Sequence, residues 1–139
     1  MSTIQENENA IIEEFELFDD WMQKYDYLIE LGNSLPLIEE TYKTDEYLIK
    51  GCQSKVWLNA SLENGLVYFK ADSDAIITKG IIALLVQVLS GQRPEKIVAS
   101  ELTFIDKIGL KEHLSQTRSN GLVSMIKQMK LYALALQNA

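Results

Sequence analysis

The chain has 139 residues, of which 47% are hydrophobic and only two are prolines, and this size and composition are typical of one compact domain. Twenty acidic and thirteen basic residues give a net charge of -7, which disfavours binding to a phosphate backbone. The longest apolar run, residues 81–86, is too short to cross a bilayer, and the polar residues 2–7 do not resemble a signal peptide. We therefore expect a cytoplasmic protein that binds neither nucleic acid nor membranes.

The first third of the chain carries helical patterns. Apolar residues recur at three- and four-residue steps over residues 11–31, as on one face of a helix. Asp19 and Asp20 interrupt this pattern and can cap a second helix that begins at Trp21. Gly32 is suited to the left-handed position that follows a helix. We predict two helices in this region.

A small antiparallel sheet is predicted next. Residues 47–49 are short and apolar like a strand, and residues 51–54 then form a tight loop. Residues 56–61 and 66–70 are rich in β-formers, and the Asn64-Gly65 pair between them suits the positive φ angles of a hairpin turn. The sequence thus indicates about three strands.

The remaining segments again have helical spacing. Asp72-Ser73-Asp74 can cap a helix that lasts until Gly91, and Pro94 suits the first position of a short helix. A further helix covers residues 104–108, and the last begins near Ser119 or Asn120. The order of elements predicts an α+β fold, with helices at both ends of the chain and one domain over residues 1–139. We expect residues 1–8 and 137–139 to be frayed.

The inventory of reactive side chains is short, because the chain has one cysteine, Cys52, and one histidine, His113. One thiol can form neither an internal disulfide nor a Cys-x-x-Cys pair, and a structural zinc site normally needs four Cys or His ligands. We expect no metal site. A free cysteine is often an inert buried residue, yet the loop around Cys52 favours a reactive one, so both interpretations stay open.

A nucleophilic hydrolase is one alternative for this pair of residues. It requires Cys52 to contact His113, with Asn120 orienting the imidazole. All three residue types are present, but their spacing does not establish the contacts.

Three segments resemble those of one known family. Gly51-Cys52-Gln53-Ser54-Lys55-Val56-Trp57-Leu58 is similar to the GCQSxVW segment of SufE proteins. Residues 71–75 with Lys79-Gly80 resemble their DSDA…KG segment, and residues 113–122 resemble their HLxxxRSxGL segment. The likeness extends from about Trp21 to the last helix. Two positions depart from the family pattern: Gln116-Thr117 stands where many members have Pro-Ser, and Lys55 where Gln is common.

The resemblance implies the SufE fold, shared with IscU-type scaffolds, and a function in sulfur transfer. Cys52 would accept sulfane sulfur as a persulfide from a SufS-type cysteine desulfurase and stimulate that enzyme. The protein would then deliver the sulfur to SufB of the SufBCD complex for iron–sulfur cluster assembly, or to an acceptor of the CSD branch. It would be a monomer or weak homodimer without a cofactor of its own, since pyridoxal phosphate belongs to the desulfurase.

The other matched residues are expected to support this thiol. We expect Arg118 to hold the Cys52 loop or favour an anionic sulfur, with an ordinary surface ion pair as the alternative. Ser119 or Asn120 is expected to cap the last helix, and backbone or a neighbouring helix is expected to come close at Gly51, Gly80 and Gly121. The loop itself would swing outward on docking. The supporting residues are Gly51, Gln53, Ser54, Asp74, Lys79, His113, Arg118, Ser119, Asn120 and Gly121, with Asp74 and Lys79 assigned to a docking surface.

Overall fold

A computed structural model describes residues 2–138. This part of the chain has the predicted α+β fold, in which a two-stranded antiparallel hairpin packs among helices. Single 3₁₀ turns at Glu40–Tyr42 and Asp45–Tyr47 precede the hairpin. The elements are α1 (Ile4–Glu16), α2 (Trp21–Asn33), β1 (Val56–Glu63), β2 (Leu66–Ser73), α3 (Ile76–Leu89), α4 (Pro94–Ala99), α5 (Phe104–Lys107), α6 (Leu110–His113) and α7 (Gln116–Gln137).

The N-terminal helices confirm the interruption predicted at Asp19 and Asp20, since α1 ends at Glu16 and α2 begins at Trp21. Asp20 caps α2 by accepting a hydrogen bond from the Gln23 amide at 2.9 Å. Helix α1, however, begins at Ile4, well before residue 11, because Thr3 and Glu6 form a reciprocal capping box. Residues 4–8 of the segment expected to be frayed are therefore the first turns of α1. Met1 and Ala139, at the ends of the two expected frayed segments, lie outside the described residues.

The hairpin runs in register from the Val56–Ser73 pair to the Glu63–Leu66 pair. Asn64 and Gly65 both have positive φ angles, 54° and 80°, as their sequence predicts. The third strand predicted at residues 47–49 is wrong. Leu48 makes only an isolated bridge to Trp57, because a 3₁₀ turn precedes it and the chain turns away at Gly51.

Helix α3 is the centre of the core, and it packs against α1, α2, β2 and α7. Its sequence is apolar on nearly every face, as expected for a helix surrounded by other elements. At Gly80 the backbone of α2 comes so close that a Cβ atom would overlap the Leu28 carbonyl oxygen. The close approach predicted at this glycine is confirmed.

Two predicted caps are wrong. Helix α3 has Ala75 at its N-cap position and no side-chain cap, because the acidic residues before it are engaged elsewhere. Helix α7 begins at Gln116, earlier than predicted, since the Ser115 hydroxyl accepts a hydrogen bond from the Arg118 amide at 3.2 Å. Ser119 and Asn120 therefore lie inside α7.

Candidate functional site

The Cys52 loop enters β1 and rests on α7. Its base is closed by a hydrogen bond of 2.8 Å from the Ile49 amide to the Val56 carbonyl. Gly51 has a φ angle of +95°, a conformation that side chains rarely adopt. A Cβ atom there would also overlap the Ser124 hydroxyl and lie 3.2 Å from the Ser124 Cβ. Glycine at position 51 is thus required by both backbone conformation and space.

The exit of the loop is fixed to the end of β2. The Lys55 amide donates to the Asp74 carboxylate at 3.0 Å, and the Asp74 amide donates to the Lys55 carbonyl at 3.2 Å. The Ser73 hydroxyl donates to the same carbonyl at 2.8 Å. Asp74, predicted to belong to a docking surface, therefore also anchors the segment that carries the thiol.

The Cys52 side chain is half-buried and points toward α7. Its Sγ atom donates a hydrogen bond to the Gly121 carbonyl, with a sulfur–oxygen distance of 3.6 Å. A Cβ atom on Gly121 would lie 3.5 Å from this sulfur, an ordinary contact distance. Burial raises the pKa of the Cys52 thiol. Because the reactive species is the thiolate, this position holds the cysteine in a weakly nucleophilic state.

A pocket of about 350 Å³ opens beside Cys52. Buried side chains of Ile81 and Met125 supply apolar wall, while Gln53, Arg118 and several serine and threonine residues supply the polar part. No carboxylate lines it among residues 2–138. The lining residues are Cys52, Gln53, Ser54, Thr78, Ile81, Ser115, Thr117, Arg118, Gly121 and Met125.

Arg118 provides the positive charge of this pocket. It lies in the first turn of α7, where free backbone amides also favour negative charge. Within the described part of the chain, its guanidinium makes no ion pair with any carboxylate, so the surface ion pair considered as an alternative is absent. The electrostatic role toward the Cys52 sulfur stays a prediction.

Lys79 participates in a charged cluster at the end of β2. Asp72 is 8% exposed, and its carboxylate lies 2.6 Å from Lys43 Nζ and 3.3 Å from Lys79 Nζ. Burial opposes ionisation of Asp72, but hydrogen bonds from Lys43, the Ser73 amide and Lys79 outweigh it and hold its pKa below the ordinary value. Lys79 thus has a structural contact, and its predicted role in docking is untested.

The histidine is engaged away from the thiol. The His113 ring stacks on Trp21 with centroids 3.9 Å apart, and its Nδ1 lies 3.1 Å from the Gly109 carbonyl oxygen. Asn120 accepts a hydrogen bond from Gln116. In residues 2–138 no hydrogen bond connects His113 with Cys52, and His113 does not line the pocket. The arrangement that a hydrolase requires is not formed.

Several residues that line the pocket were not predicted from the sequence. Thr78, Ile81 and Met125 lie on two separate helices, and only their packing brings them to Cys52. The one available signal was Thr78, a polar residue within the apolar sequence of α3.

The described residues offer no alternative metal or membrane chemistry. They contain no group of three or more His, Cys, Asp or Glu side chains placed to hold a metal ion. None of the helices in this range combines the length and apolar character of a membrane span.

Fold and site together define a small α+β protein with one loop thiol above a polar-rimmed pocket. The model of the SufE family, described as an Fe-S metabolism associated domain, matches residues 9–133. The chain belongs to the SufE family, and its role lies in Fe–S metabolism.

Curated relatives and one solved structure agree with this assignment. A SufE-like protein of Rhizobium meliloti is 43% identical over 132 residues, covering 88% of this chain and 91% of the relative. SufE-like protein 1 of Arabidopsis thaliana, described as chloroplastic/mitochondrial, is 38% identical over 91% of this chain but only 34% of its own length. The solution structure of a hypothetical protein from Thermus thermophilus matches 96% of this chain and 97% of its own with a TM-score of 0.80. At 19% identity, the last similarity concerns the fold alone.

Proposed function

We propose that Cys52 accepts sulfane sulfur from a SufS-type cysteine desulfurase as a persulfide and carries it to the SufBCD scaffold in the cytoplasm. The observation that carries this proposal is a single loop cysteine, half-buried against α7 and opening on a pocket whose lining, among residues 2–138, includes Arg118 and no carboxylate. Membership of the SufE family supports the same chemistry.

The transfer is an exchange between sulfur atoms. The Cys52 thiol loses its proton, and its Sγ attacks the terminal sulfur of a persulfide on the desulfurase cysteine. One S–S bond forms on Cys52 while the S–S bond on the desulfurase breaks, and the desulfurase cysteine leaves as a thiolate. The exchange needs no external oxidant or reductant. Stimulation follows because each transfer frees the desulfurase cysteine for another turnover.

A carrier of this kind benefits from having one cysteine. A second nearby thiol would attack the persulfide, close a disulfide and release sulfide. The chain has no such residue. Delivery to the next protein is the same exchange in the opposite direction.

The contacts of the loop indicate how its reactivity is controlled. The thiol donates to the Gly121 carbonyl, and burial raises its pKa, so Cys52 is protonated at rest. At its tip the loop makes one weak hydrogen bond to α7, from the Cys52 Sγ to the Gly121 carbonyl at 3.6 Å, while further hydrogen bonds hold the loop at its base and exit. Docking of the desulfurase would therefore release the tip alone, exposing the sulfur to the partner.

Intact-mass spectrometry after incubation with a cysteine desulfurase, pyridoxal phosphate and cysteine tests the proposal. We expect wild type to gain the mass of one sulfur atom, removed by dithiothreitol, and Cys52→Ser to gain none. Reversal by the reductant is needed because two oxygen atoms weigh nearly the same, whereas a sulfinic acid survives this treatment. No reducible adduct, with several active desulfurases tried, would overturn the proposal.

His113→Ala is the matched variant for the hydrolase alternative. Because the imidazole stacks on Trp21 and does not contact the thiol, we expect this variant to accept sulfur normally. Loss of sulfur acceptance in a folded His113→Ala protein would show that the histidine participates in the chemistry.

A further inference from the structure

Thr78 is unusual among the buried polar side chains. Four polar or charged residues are buried in the described chain: Glu8, Asp72, Thr78 and Gln92. Three of them have hydrogen-bond partners, since Glu8 accepts from Phe104, Asp72 binds two lysines, and Gln92 donates to Ser2. The hydroxyl of Thr78, a residue that is 7% exposed, has no hydrogen-bond partner within residues 2–138. Thr78 thus differs from the other three in having a hydroxyl that no group of the described chain engages.

The small accessible surface of Thr78 includes part of the Cys52 pocket. No fully inaccessible side-chain nitrogen or oxygen lacks a partner in the described structure, so the Thr78 Oγ1 atom retains some accessible surface. Thr78 lines the pocket that Cys52 lines. A threonine in a helix can instead donate to the carbonyl four residues earlier, but Thr78 makes no such bond to Asp74. The Thr78 hydroxyl is therefore not committed to any other group within residues 2–138.

The pocket has room for more than the cysteine sulfur. Its volume of about 350 Å³ is many times the roughly 30 Å³ that one water molecule occupies. Arg118 is the single charged residue on its wall in the described part of the chain. A free hydroxyl and a guanidinium, beside apolar Ile81 and Met125, suit a small and polarizable anion.

We propose that the Thr78 hydroxyl binds the terminal sulfur of a Cys52 persulfide, donating its hydrogen to the anionic sulfur inside the pocket. This inference rests on the proposed function, since it names the group that holds the cargo. The unloaded thiol does not need Thr78, because its own hydrogen is donated to the Gly121 carbonyl. The hydroxyl therefore acts on the loaded carrier, where it shields and orients the sulfur between partners.

The experiment compares wild type with Thr78→Val, Thr78→Ala and Thr78→Ser. Valine keeps the shape of threonine, alanine is a smaller substitute without a hydroxyl, and serine restores the donor. Each protein is loaded both by a cysteine desulfurase and directly by inorganic polysulfide. Loss of the persulfide to dithiothreitol is then followed by intact mass. If polysulfide loads Cys52 and the desulfurase does not, the result counts against the proposed desulfurase partner, but the polysulfide-loaded proteins still test the role of Thr78.

We expect the persulfide to be lost about tenfold faster from Thr78→Val and Thr78→Ala, the effect that one hydrogen bond to a charged group supports. Thr78→Ser should stay within about twofold of wild type on the same basis. Alkylation of unloaded Cys52 should be unchanged in all variants. Thr103→Val is the control, because its hydroxyl caps no helix by hydrogen bonding and lies outside this pocket.

A spectroscopic titration separates hydrogen bonding from a merely structural role. Removal of the donor destabilises the persulfide anion, so its pKa, followed by ultraviolet absorption, should rise in Thr78→Val and return in Thr78→Ser. Equal lifetimes and equal titrations in folded wild type and Thr78→Val would overturn the inference. Failure of Thr78→Ser to restore both would overturn it as well, since the hydroxyl would then not be the acting group.

Discussion

Helices α2 and α3 pack against each other at Gly80, whereas the Cys52 loop packs against α7 at Gly121. At Gly80 the space of a side chain is filled by the backbone of Leu28, which cannot move aside. At Gly121 a Cβ atom would meet the Cys52 sulfur at 3.5 Å, an ordinary contact. The contact at Gly80 therefore leaves no room for a side chain, whereas the contact at Gly121 leaves room for a methyl group. The fold is thus closely packed where α2 meets α3 and has room beside the Cys52 sulfur, although Gly51 of the same loop approaches Ser124 of α7 more closely.

The strictest test of this difference is Gly80→Ala. The new methyl group would overlap the Leu28 carbonyl oxygen and lie 2.7 Å from its carbonyl carbon, so the two helices must separate. We expect the free energy of unfolding to fall by about 3 kcal/mol despite the better helix propensity of alanine. Denaturant unfolding measures it. A loss below about 1 kcal/mol, within the range of ordinary substitutions, would show that the two helices can accommodate a methyl group at position 80.

Gly51→Ala tests how closely the Cys52 loop packs against α7, with Gly65→Ala as its matched control. Both glycines have strongly positive φ angles, but a Cβ atom on Gly65 meets nothing within 4 Å, while one on Gly51 meets Ser124. We expect a loss of about 1–2 kcal/mol at Gly65 from the left-handed backbone alone. At Gly51 we expect about 1 kcal/mol more, from overpacking.

The additional loss at position 51 can be traced to its source. Ser124→Ala removes the overlapping hydroxyl, so the double variant Gly51→Ala/Ser124→Ala should recover part of the difference between the two glycines. Thermal or denaturant unfolding of wild type, Gly51→Ala, Ser124→Ala and the double variant measures this recovery of stability. No recovery would mean that the backbone conformation, and not α7, decides the effect.

Asp72→Asn tests whether the close packing of α2 and α3 at Gly80 also depends on charge. Lys79 precedes Gly80 in the sequence and forms an ion pair with Asp72. We expect a loss of about 2 kcal/mol at neutral pH. The pKa of Asp72 is lowered by folding, so its contribution is present above the ordinary pKa and disappears as the pH falls through the lower folded value. Wild type and variant should therefore converge below about pH 4.

Denaturant unfolding across this pH range makes the measurement. Glu39→Gln is the control, since the Glu39–Lys70 pair is exposed on both sides and should contribute under about 1 kcal/mol. A constant difference between wild type and Asp72→Asn at all pH values would contradict the assigned ionisation.

The smallest expected effect is that of Gly121→Ala. The methyl group fits at contact distance from Cys52, and alanine favours the helix, so we expect a gain of about 0.5–1 kcal/mol in the free energy of unfolding. Its sign is opposite to that of Gly80→Ala. A destabilised Gly121→Ala protein would show that the Cys52 loop is packed as tightly as the helix pair.

The sequence predicted those features that local chemistry determines. Asn64-Gly65 defined the hairpin turn, and Asp20 defined the start of α2. The start of α7 was missed because Ser115, Ser119 and Asn120 are all acceptable caps, and the sequence does not show which of them accepts from the free backbone amides. The strand at residues 47–49 was wrong because an apolar triplet does not reveal whether a partner strand is available.

The candidate site shows the same limit. Cys52 and Arg118 stand in recognisable motifs and could be named in advance. Thr78 could not, because its relation to Cys52 exists only after α3 has packed beneath the loop. Distances between elements are a property of the folded chain, and periodicity along the sequence does not contain them.

The hydrogen bond from Cys52 to the Gly121 carbonyl also bears on oxidative damage. Peroxide and similar oxidants attack thiolates and convert them through sulfenic to irreversible sulfinic and sulfonic acids. A cysteine that keeps its proton, half-covered by a helix, reacts slowly with such compounds. The contact between Cys52 and α7 would thus protect the one thiol of the chain from being lost to oxidation.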